Sequence, residues 1–424
     1  MHPRTRTTIG VRQALLAAVL TGAVAGAVAQ APAAPTPGGP GTPGLKELFE
    51  AAWARQPEAL ALQSRREAAQ AQRRAAEAWT PEPPAFEASH KTDRLTRNDG
   101  ARELEVGLAV PLWLPGERRS SGALAEAEAA AVESRAKGAR VRLAAAVREA
   151  WWTWQRAGVD VEIARGQLDN ARKLAADVSR RARSGELARA DQHQADGAVA
   201  AAEAGLAQAE AAATAALQQV KALSGGAIGM TPAVTAAAEP EPAATEAGTH
   251  PAIAELQDRA SAAERAAVLA ATQSRANPEL TLATTRDRGA LGERYGQTVT
   301  LAVRIPFGGG PRHDSRVASA RADAAEAQAQ LALDRTRLQS ERDAVVARVD
   351  AARVQLAAAE RRATLARETR GFFEKSFRLG ETDLPTRLRI DAEAHEAERQ
   401  AARSRIELAA AISAWRQALG LLPQ

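Results

Sequence analysis

The sequence predicts a mainly α-helical chain written as two tandem repeats, each a β-hairpin joined to a long antiparallel helical hairpin. Three observations predict it. Alanine makes up about a quarter of the 424 residues while Trp, Tyr and Phe number only 7, 1 and 6, a vocabulary of long helices packed close together rather than of ordinary globular cores. The turn and break residues recur at an offset of about 195 residues, pairing Pro57 with Pro251, Pro83 with Pro278, Pro111 with Pro306, Gly185 with Gly380 and Leu223 with Leu419; such self-similarity marks a duplication. A heptad-spaced apolar seam runs through the middle of each copy.

The amino-terminal residues 1–29 read as a secretory signal. Arg4, Arg6 and Arg12 precede an uncharged run from Ala14 to Ala29 that closes on Ala27-Val28-Ala29, an A-x-A type cleavage site. The run is about sixteen residues, short of the about 20 that a spanning helix needs. Removing it lowers the formal excess charge from five to about two, which sets nucleic acid aside as a partner. Residues 30–44 are a Pro/Gly-rich tail, and residues 224–250, with Gly225, Gly226, Pro232, Pro240 and Pro242, form an inter-repeat linker. The repeats are then residues 45–223 and 251–420.

Each repeat opens with a helix, Leu45 to Trp79 and Pro251 to Ala276, stopped by Pro81-Glu82-Pro83-Pro84 and by Asn277-Pro278. Two extended arms follow. In the first repeat, Phe86 to Arg94 and Arg102 to Leu114 flank a polar loop, with Leu104, Val106, Leu108 and Val110 on one face. In the second, Leu280, Leu282 and Thr284 alternate on one arm and Val299, Leu301, Val303 and Ile305 on the other. Period two on both arms is a strand signal, and arms of this length suit tilted transmembrane strands. The arms leave through Val110-Pro111-Leu112 with Gly116, and through Ile305-Pro306-Phe307 with Gly308, Gly309 and Gly310. No lysine or serine follows those glycines in the register of a phosphate loop, so they read as the joint where strand turns into helix.

From each exit the chain enters a long helix, Glu117 to Arg183 and Arg312 to Arg378, about 100 Å at 1.5 Å per residue. Seam positions from Leu143 to Ala182 are all apolar, and their counterparts from Leu338 to Phe377 are apolar except Arg342 and Arg370. Small seam residues permit close helix packing, which suits a wall of helices. The Trp151-Trp152-Trp154 cluster falls within this register and reads as helix packing rather than an interfacial aromatic belt. Both helices end in a glycine turn, Arg183-Ser184-Gly185-Glu186 and Arg378-Leu379-Gly380-Glu381, and a return helix follows each. Four strands cannot close a barrel when the smallest membrane barrels have about 8, so several chains must share one.

The ordered set of signal, duplicated plan, Val-Pro-Leu and Ile-Pro-Phe-Gly-Gly-Gly exits, Arg-x-Gly-Glu turns and the Ala418-Leu419-Gly420 ending resembles the TolC-like outer-membrane efflux protein family over nearly all of the mature chain. That resemblance implies a homotrimer with a twelve-stranded β-barrel in outer-membrane lipid of a Gram-negative bacterium and a helical tunnel through the periplasm. It further implies docking, through tips at Arg183, Gly185, Glu186, Arg378, Gly380 and Glu381, onto a periplasmic membrane-fusion adaptor and an inner-membrane pump, with the RND type favoured. The phrases Gly185-Glu186-Leu187-Ala188-Arg189-Ala190-Asp191 and Gly380-Glu381-Thr382-Asp383-Leu384-Pro385 look most like the heavy-metal cation branch.

The departures from the family pattern also carry meaning. With no cysteine the chain lacks the lipidated residue of many members, so anchoring rests on the barrel. Where some members gate with aspartates, Thr386 and Arg389 stand here; Phe377 replaces a frequent tyrosine. The resemblance leaves Phe377, Asp383, Thr386, Arg387 and Arg389 as gate candidates, with Arg378 and Arg387 facing acids of a neighbouring chain.

No cofactor or metal ligand set is written in the sequence. The histidines (His2, His90, His193, His250, His313, His395) lack the pairing of a metal site, and Asp191/His193 and His395/Glu396/Glu398 read as solvated helix faces. No nucleophile, base and orienter stand at a usable spacing, which sets an enzyme aside. The competing readings are a multidrug or type I secretion duct and a structural periplasmic coiled-coil protein; the strands and their duplicated exits argue against the last.

Overall fold

The computed structural model describes residues 44–226, 238–243, 248–308 and 310–424. The expected signal and all but the last residue of the tail lie outside them, as do Gly309 and His2. The order of elements is α1 (Leu45–Trp53), α2 (Pro57–Glu77), β1 (Ala85–Thr92), β2 (Arg102–Pro111), α3 (Glu117–Arg183), α4 (Arg189–Ser224), α5 (Pro251–Thr272), β3 (Glu279–Arg288), β4 (Gly296–Arg304), α6 (Gly310–Arg378) and α7 (Leu384–Ala418). The duplicated plan is present element for element from α2 and α5 onward.

The first opening helix is broken, which corrects the expectation of one helix from Leu45 to Trp79. Pro57 has no N–H to give a preceding turn and its fixed φ suits a first helical turn, so the chain restarts there, and Pro251 starts α5 in the same way. The strand arms are also shorter than read. β2 stops at Pro111: Leu112 N–H still donates to the carbonyl of Pro278 opposite it at 2.7 Å, but Pro278 has no N–H with which to continue the ladder.

The four strands form one antiparallel meander, β1-β2-β3-β4, so the two hairpins join through β2 and β3. Phe86 lies opposite Leu108, Leu108 opposite Leu282, and Leu282 opposite Leu301. Since alternate residues share a face, one side of the sheet is apolar. The other carries Ser89, Glu105, Thr285, Thr298 and small residues; Gly107 sits so close to Ala283 that an added Cβ would lie 3.1 Å from the Ala283 Cβ. The apolar side is open to the surroundings: Phe86, Val299 and Leu301 are about 70% exposed.

All twelve seam residues of α3 and all twelve of α6 are buried or partly buried. The main core lies midway along the bundle, where Leu48 and Phe49 of α1 meet Val147, Trp151, Trp152 and Trp154 of α3, Val220 of α4 and Ile406 of α7. Trp151 and Trp154 meet edge to face at 5.5 Å, and Trp152 Nε1 donates to Ser413 Oγ at 2.9 Å. These tryptophans therefore pack between helices. The two seam arginines are accommodated as well: Arg342 donates to the Ala418 carbonyl and Arg370 lies 3.4 Å from Glu398.

The inter-repeat segment is more than a linker. Glu239 is buried against Arg148, with oxygens 2.7 and 2.9 Å from Nη2 and Nε, and lies 3.5 Å from Arg416 Nε. Arg416 also donates to the Pro240 carbonyl, and Glu241 pairs with Arg353 at 2.7 Å. Residues 238–243 thus strap α3, α6 and α7 together, where α1 does related work in the first repeat. His395 likewise departs from the solvated face expected of it: it is half-buried, 3.8 Å from Glu398, and burial beside Arg370 holds its pKa below the ordinary histidine value.

Candidate functional site

Two places concentrate unusual backbone and polar chemistry, the paired tips of the helical hairpins and the exits from strand to helix. At the first tip α3 ends on Arg183, Ser184 stays helical and Gly185 takes φ +85°. Gly185 N–H reaches the Ala182 carbonyl (3.2 Å) and Glu186 N–H the Arg181 carbonyl (2.9 Å). At the second tip Gly380 has φ +80°, with Gly380 N–H to Phe377 O (3.1 Å) and Glu381 N–H to Ser376 O (3.0 Å). Both are Schellman closures, which need a residue tolerant of positive φ. No atom outside the local chain lies within 4 Å of a Cβ added at either glycine. Substitution there strains the turn without meeting an obstacle, and both turns face outward.

The return helices begin differently. In α4 the Asp191 carboxylate reaches back to the Ala188 amide at 3.0 Å. In α7 Asp383 is the cap itself, accepting from Thr386 N–H at 3.1 Å, and hydrogen bonds from Thr386 hold its pKa below the ordinary aspartate value. Thr386 is thereby part of a helix start.

The tips are joined by a small core of Val178, Ala195, Phe377 and Leu384. Arg181 closes it. Its guanidinium stands 5.1 Å from the centre of the Phe377 ring, donates to the Phe377 carbonyl at 3.0 Å, and pairs with Glu186 at 3.1 Å. A carbonyl has two lone pairs, so Phe377 O serves the second turn and the first hairpin at once. Sequence reading missed Arg181: only the spatial meeting of the hairpins distinguishes it from Arg180 or Arg183.

The other expected tip and gate residues are satisfied locally. Arg183 donates to the Ser179 carbonyl, Glu186 also accepts from Ser184 Oγ, and Glu381 accepts from Ser376 Oγ at 3.4 Å. Arg387 pairs with Asp391 at 2.9 Å and with Glu374 at 3.8 Å, and Arg389 with Glu393 at 2.7 Å. Within the chain, then, Arg387 already has two acidic partners. Arg378 is exposed and lines a cleft of about 280 Å³ with Lys173, Asp177, Glu374, Arg387 and Asp391.

At the first exit Gly116, φ +84°, turns the chain into α3 and buries Glu117. The Glu117 carboxylate collects Leu114 N–H (3.0 Å), Asn277 Nδ2 (2.7 Å) and Gln273 Nε2 (2.8 Å), while Asn277 also donates to the Leu112 carbonyl. This buried carboxylate ties the exit to the α5–β3 connection. It reads in the sequence as an ordinary acid in a first helical turn. The second exit, Pro306 with Gly308 (φ +81°) and Gly310 (φ +57°), has an almost fully exposed Phe307. Among the described residues no group of three or more His, Asp or Glu could hold a metal ion, and no helix is long and apolar enough to cross a membrane.

Residues 48–226 match the outer membrane efflux protein family. No curated protein sequence matches the chain significantly. Among solved structures, the chain is similar to the outer membrane protein VceC of Vibrio cholerae (TM-score 0.73, 20% identity, covering 89% of this chain and 96% of that one). It is similar to CusC, whose structures concern conformational changes accompanying folding and transmembrane channel formation (0.74, 16%, 89% and 92%). It is similar also to the open state of the MtrE outer membrane channel of Neisseria gonorrhoeae (0.71, 15%, 89% and 89%).

Proposed function

We propose that this chain, whose first repeat matches the outer membrane efflux protein family and whose fold is similar to that of solved outer-membrane channels over 89% of its length, is the exit duct of a tripartite efflux system. The observation that carries the reading is the four-stranded sheet with an exposed apolar face and two open edges, mounted on helices of 67 and 69 residues. An open apolar sheet is an aggregation hazard in water and a membrane wall in lipid. Pairing β4 of one copy with β1 of the next, three times over, makes a twelve-stranded barrel from four strands per chain and leaves no edge.

In this reading the barrel lies in the outer membrane and the helices extend into the periplasm, delivered there by the amino-terminal signal of residues 1–29. The tip glycines and their flanking Arg183, Glu186, Arg378 and Glu381 dock on a membrane-fusion adaptor, which couples the duct to an inner-membrane pump of the RND type. Arg181 on Phe377 holds neighbouring hairpins together at rest, and docking that pulls the first tip away opens the entrance. The conduit is passive rather than enzymatic, and heavy-metal cations are the cargo.

The test is resistance profiling of a deletion strain, with the gene restored as control. Sensitivity confined to cobalt, zinc, cadmium, nickel or copper supports the cation reading; sensitivity to lipophilic drugs makes the chain a multidrug duct. Gly185→Arg and Gly380→Arg are expected to abolish export while heat-modifiable trimers still assemble, and unchanged export overturns the docking role.

A further inference from the structure

The hairpin loops at the end of the sheet opposite the helices bring together residues that the transport reading does not use. Residues 92–102 and 286–295 contain six arginines and four acids, and the two signs are treated differently. Two of the acids are engaged in closing turns. Asp93 accepts from Gly100 N–H at 3.0 Å, and a single Glu293 oxygen accepts from both Gly289 and Ala290 N–H at 3.0 Å. The arginines are gathered. Arg102 lies directly opposite Arg288, and Arg286 opposite Leu104. Like charges facing each other across a pair of strands destabilise a sheet.

Arg286 and Arg288 are moreover held over one ring, Tyr295, at 4.5 and 5.0 Å from its centre. Arg288 Nε donates to the Gly100 carbonyl, which fixes that head group across the loop. Among the described residues none of Arg102, Arg286 and Arg288 has an ion-pair partner. All three share the parity of Leu104, Leu108 and Leu282, so they stand on the apolar face, Arg286 level with its outermost leucine, Leu104, and Arg102 and Arg288 one step beyond it. β2 and β3 are the two central strands, so closure of a barrel through β1 and β4 leaves this face open.

We infer that Arg102, Arg286 and Arg288, backed by Tyr295, form a binding site for the phosphate groups of an outer-leaflet lipid. The inference rests on the outer-membrane reading above. Guanidinium groups match phosphate oxygens in paired hydrogen bonds, and an aromatic ring at the edge of an apolar band sits naturally at headgroup depth. The lipid's acyl chains run down the Leu104/Leu282/Leu301 surface while its phosphates relieve the repulsion between facing arginines. The occupant is a lipid rather than free phosphate because the same face continues from the arginines into exposed leucine and valine.

The test uses the full-length protein, extracted from membranes, stripped of lipid in a nonionic detergent and first shown to be a heat-modifiable assembly. Failure at that stage sinks the channel reading and is seen before any lipid is added. Native mass spectrometry then follows titration with a diphosphorylated disaccharide glycolipid, with the same lipid dephosphorylated, and with inorganic phosphate. The expected result is retention of the phosphorylated lipid alone, weakened at least about tenfold in R102Q/R286Q/R288Q. Because the triple change could impair folding, R102Q and R286Q are tested singly, each expected to give a partial loss in assemblies that remain heat-modifiable. Equal binding of the dephosphorylated lipid, unchanged binding by the folded variants, or retention of inorganic phosphate with no gain from the lipid each overturns the site.

Discussion

Helices α3 and α6 have nearly equal lengths and matching seams, yet twenty residues of α3 are buried within the single chain against seven of α6. The difference begins outside the helices. The first repeat carries α1, whose Leu48 and Phe49 cover the tryptophan stretch of α3, while α6 leaves Leu333, Val354, Leu365 and Phe372 more than 60% exposed. The first exit is tied down by Glu117; the second presents Phe307 to the surroundings. One plan written twice has become one long helix that is covered along its middle, by α1 and by α7 of the second repeat, and one that leaves more of its apolar surface exposed. Duplication preserved the seam, and divergence reassigned what covers it.

The sharpest way to break this comparison is at equivalent seam positions. Trp154, fully buried in the main core, has Val349 as its counterpart 195 positions on, in a smaller cluster with Ala352, Ala411 and Ile412. Trp154→Ala is expected to cost about 3–5 kcal/mol and Val349→Ala about 2 kcal/mol, from the lost contacts and the cavity left behind. Thermal unfolding at one fixed protein concentration measures both. Equal costs would mean that the α6 cluster is packed as firmly as the main core around α3.

The strap comes next. Glu239→Gln leaves Arg148 and Arg416 buried without their carboxylate, an expected loss of about 3 kcal/mol. Exposed Glu241→Gln, on the same segment, should cost under about 1 kcal/mol. If the two variants melt alike, the buried triad does not fasten the repeats together. Glu239 also shows where sequence reading ends. The long helices, their glycine turns and the strand faces were legible because each rests on a local rule: heptad spacing, positive φ, alternation. Glu239 lies in a Pro/Ala-rich segment, and Arg148 looks like one more exposed base on a long helix. Their meeting across 91 positions follows only from the packed bundle. The same holds for Arg181 and for Glu117. The break before Pro57 was legible in principle, since the rule that places Pro251 at a helix start applies equally there.

At the tips the comparison turns on how each hairpin is held. Arg181→Gln removes the ring contact and the charged donor from Phe377 while leaving the second turn's own hydrogen bonds in place. The guanidinium is mostly buried, so the expected loss of tip cohesion is about 1–2 kcal/mol. Under the gating proposal this appears as raised single-channel conductance in planar bilayers and as faster proteolysis at Gly185, with little change in overall melting. Unaltered conductance would remove Arg181 from the latch.

The smallest expected effect is also the most local, and it separates the two return helices by pH. Hydrogen bonds from Thr386 lower the pKa of Asp383, so the folded state favours the ionised cap. A group with a lowered carboxyl pKa contributes its stability above its unfolded value and loses it as pH falls through the folded value. Hydrogen exchange of the first α7 amides, corrected for intrinsic rates, should therefore lose protection in acid below the ordinary aspartate range and stay constant at neutral pH. Asp383→Asn keeps an oxygen acceptor and a good cap residue, so it should retain protection and flatten the pH dependence; Asp383→Ala should lose protection at every pH. In α4 the cap residue is Ala188, whose side chain offers no acceptor, and Asp191 instead accepts from the Ala188 backbone amide, so Asp383→Ala should leave α4 untouched. Acid-induced loss in α7 of the Asn variant would show that some group other than Asp383 governs the second tip.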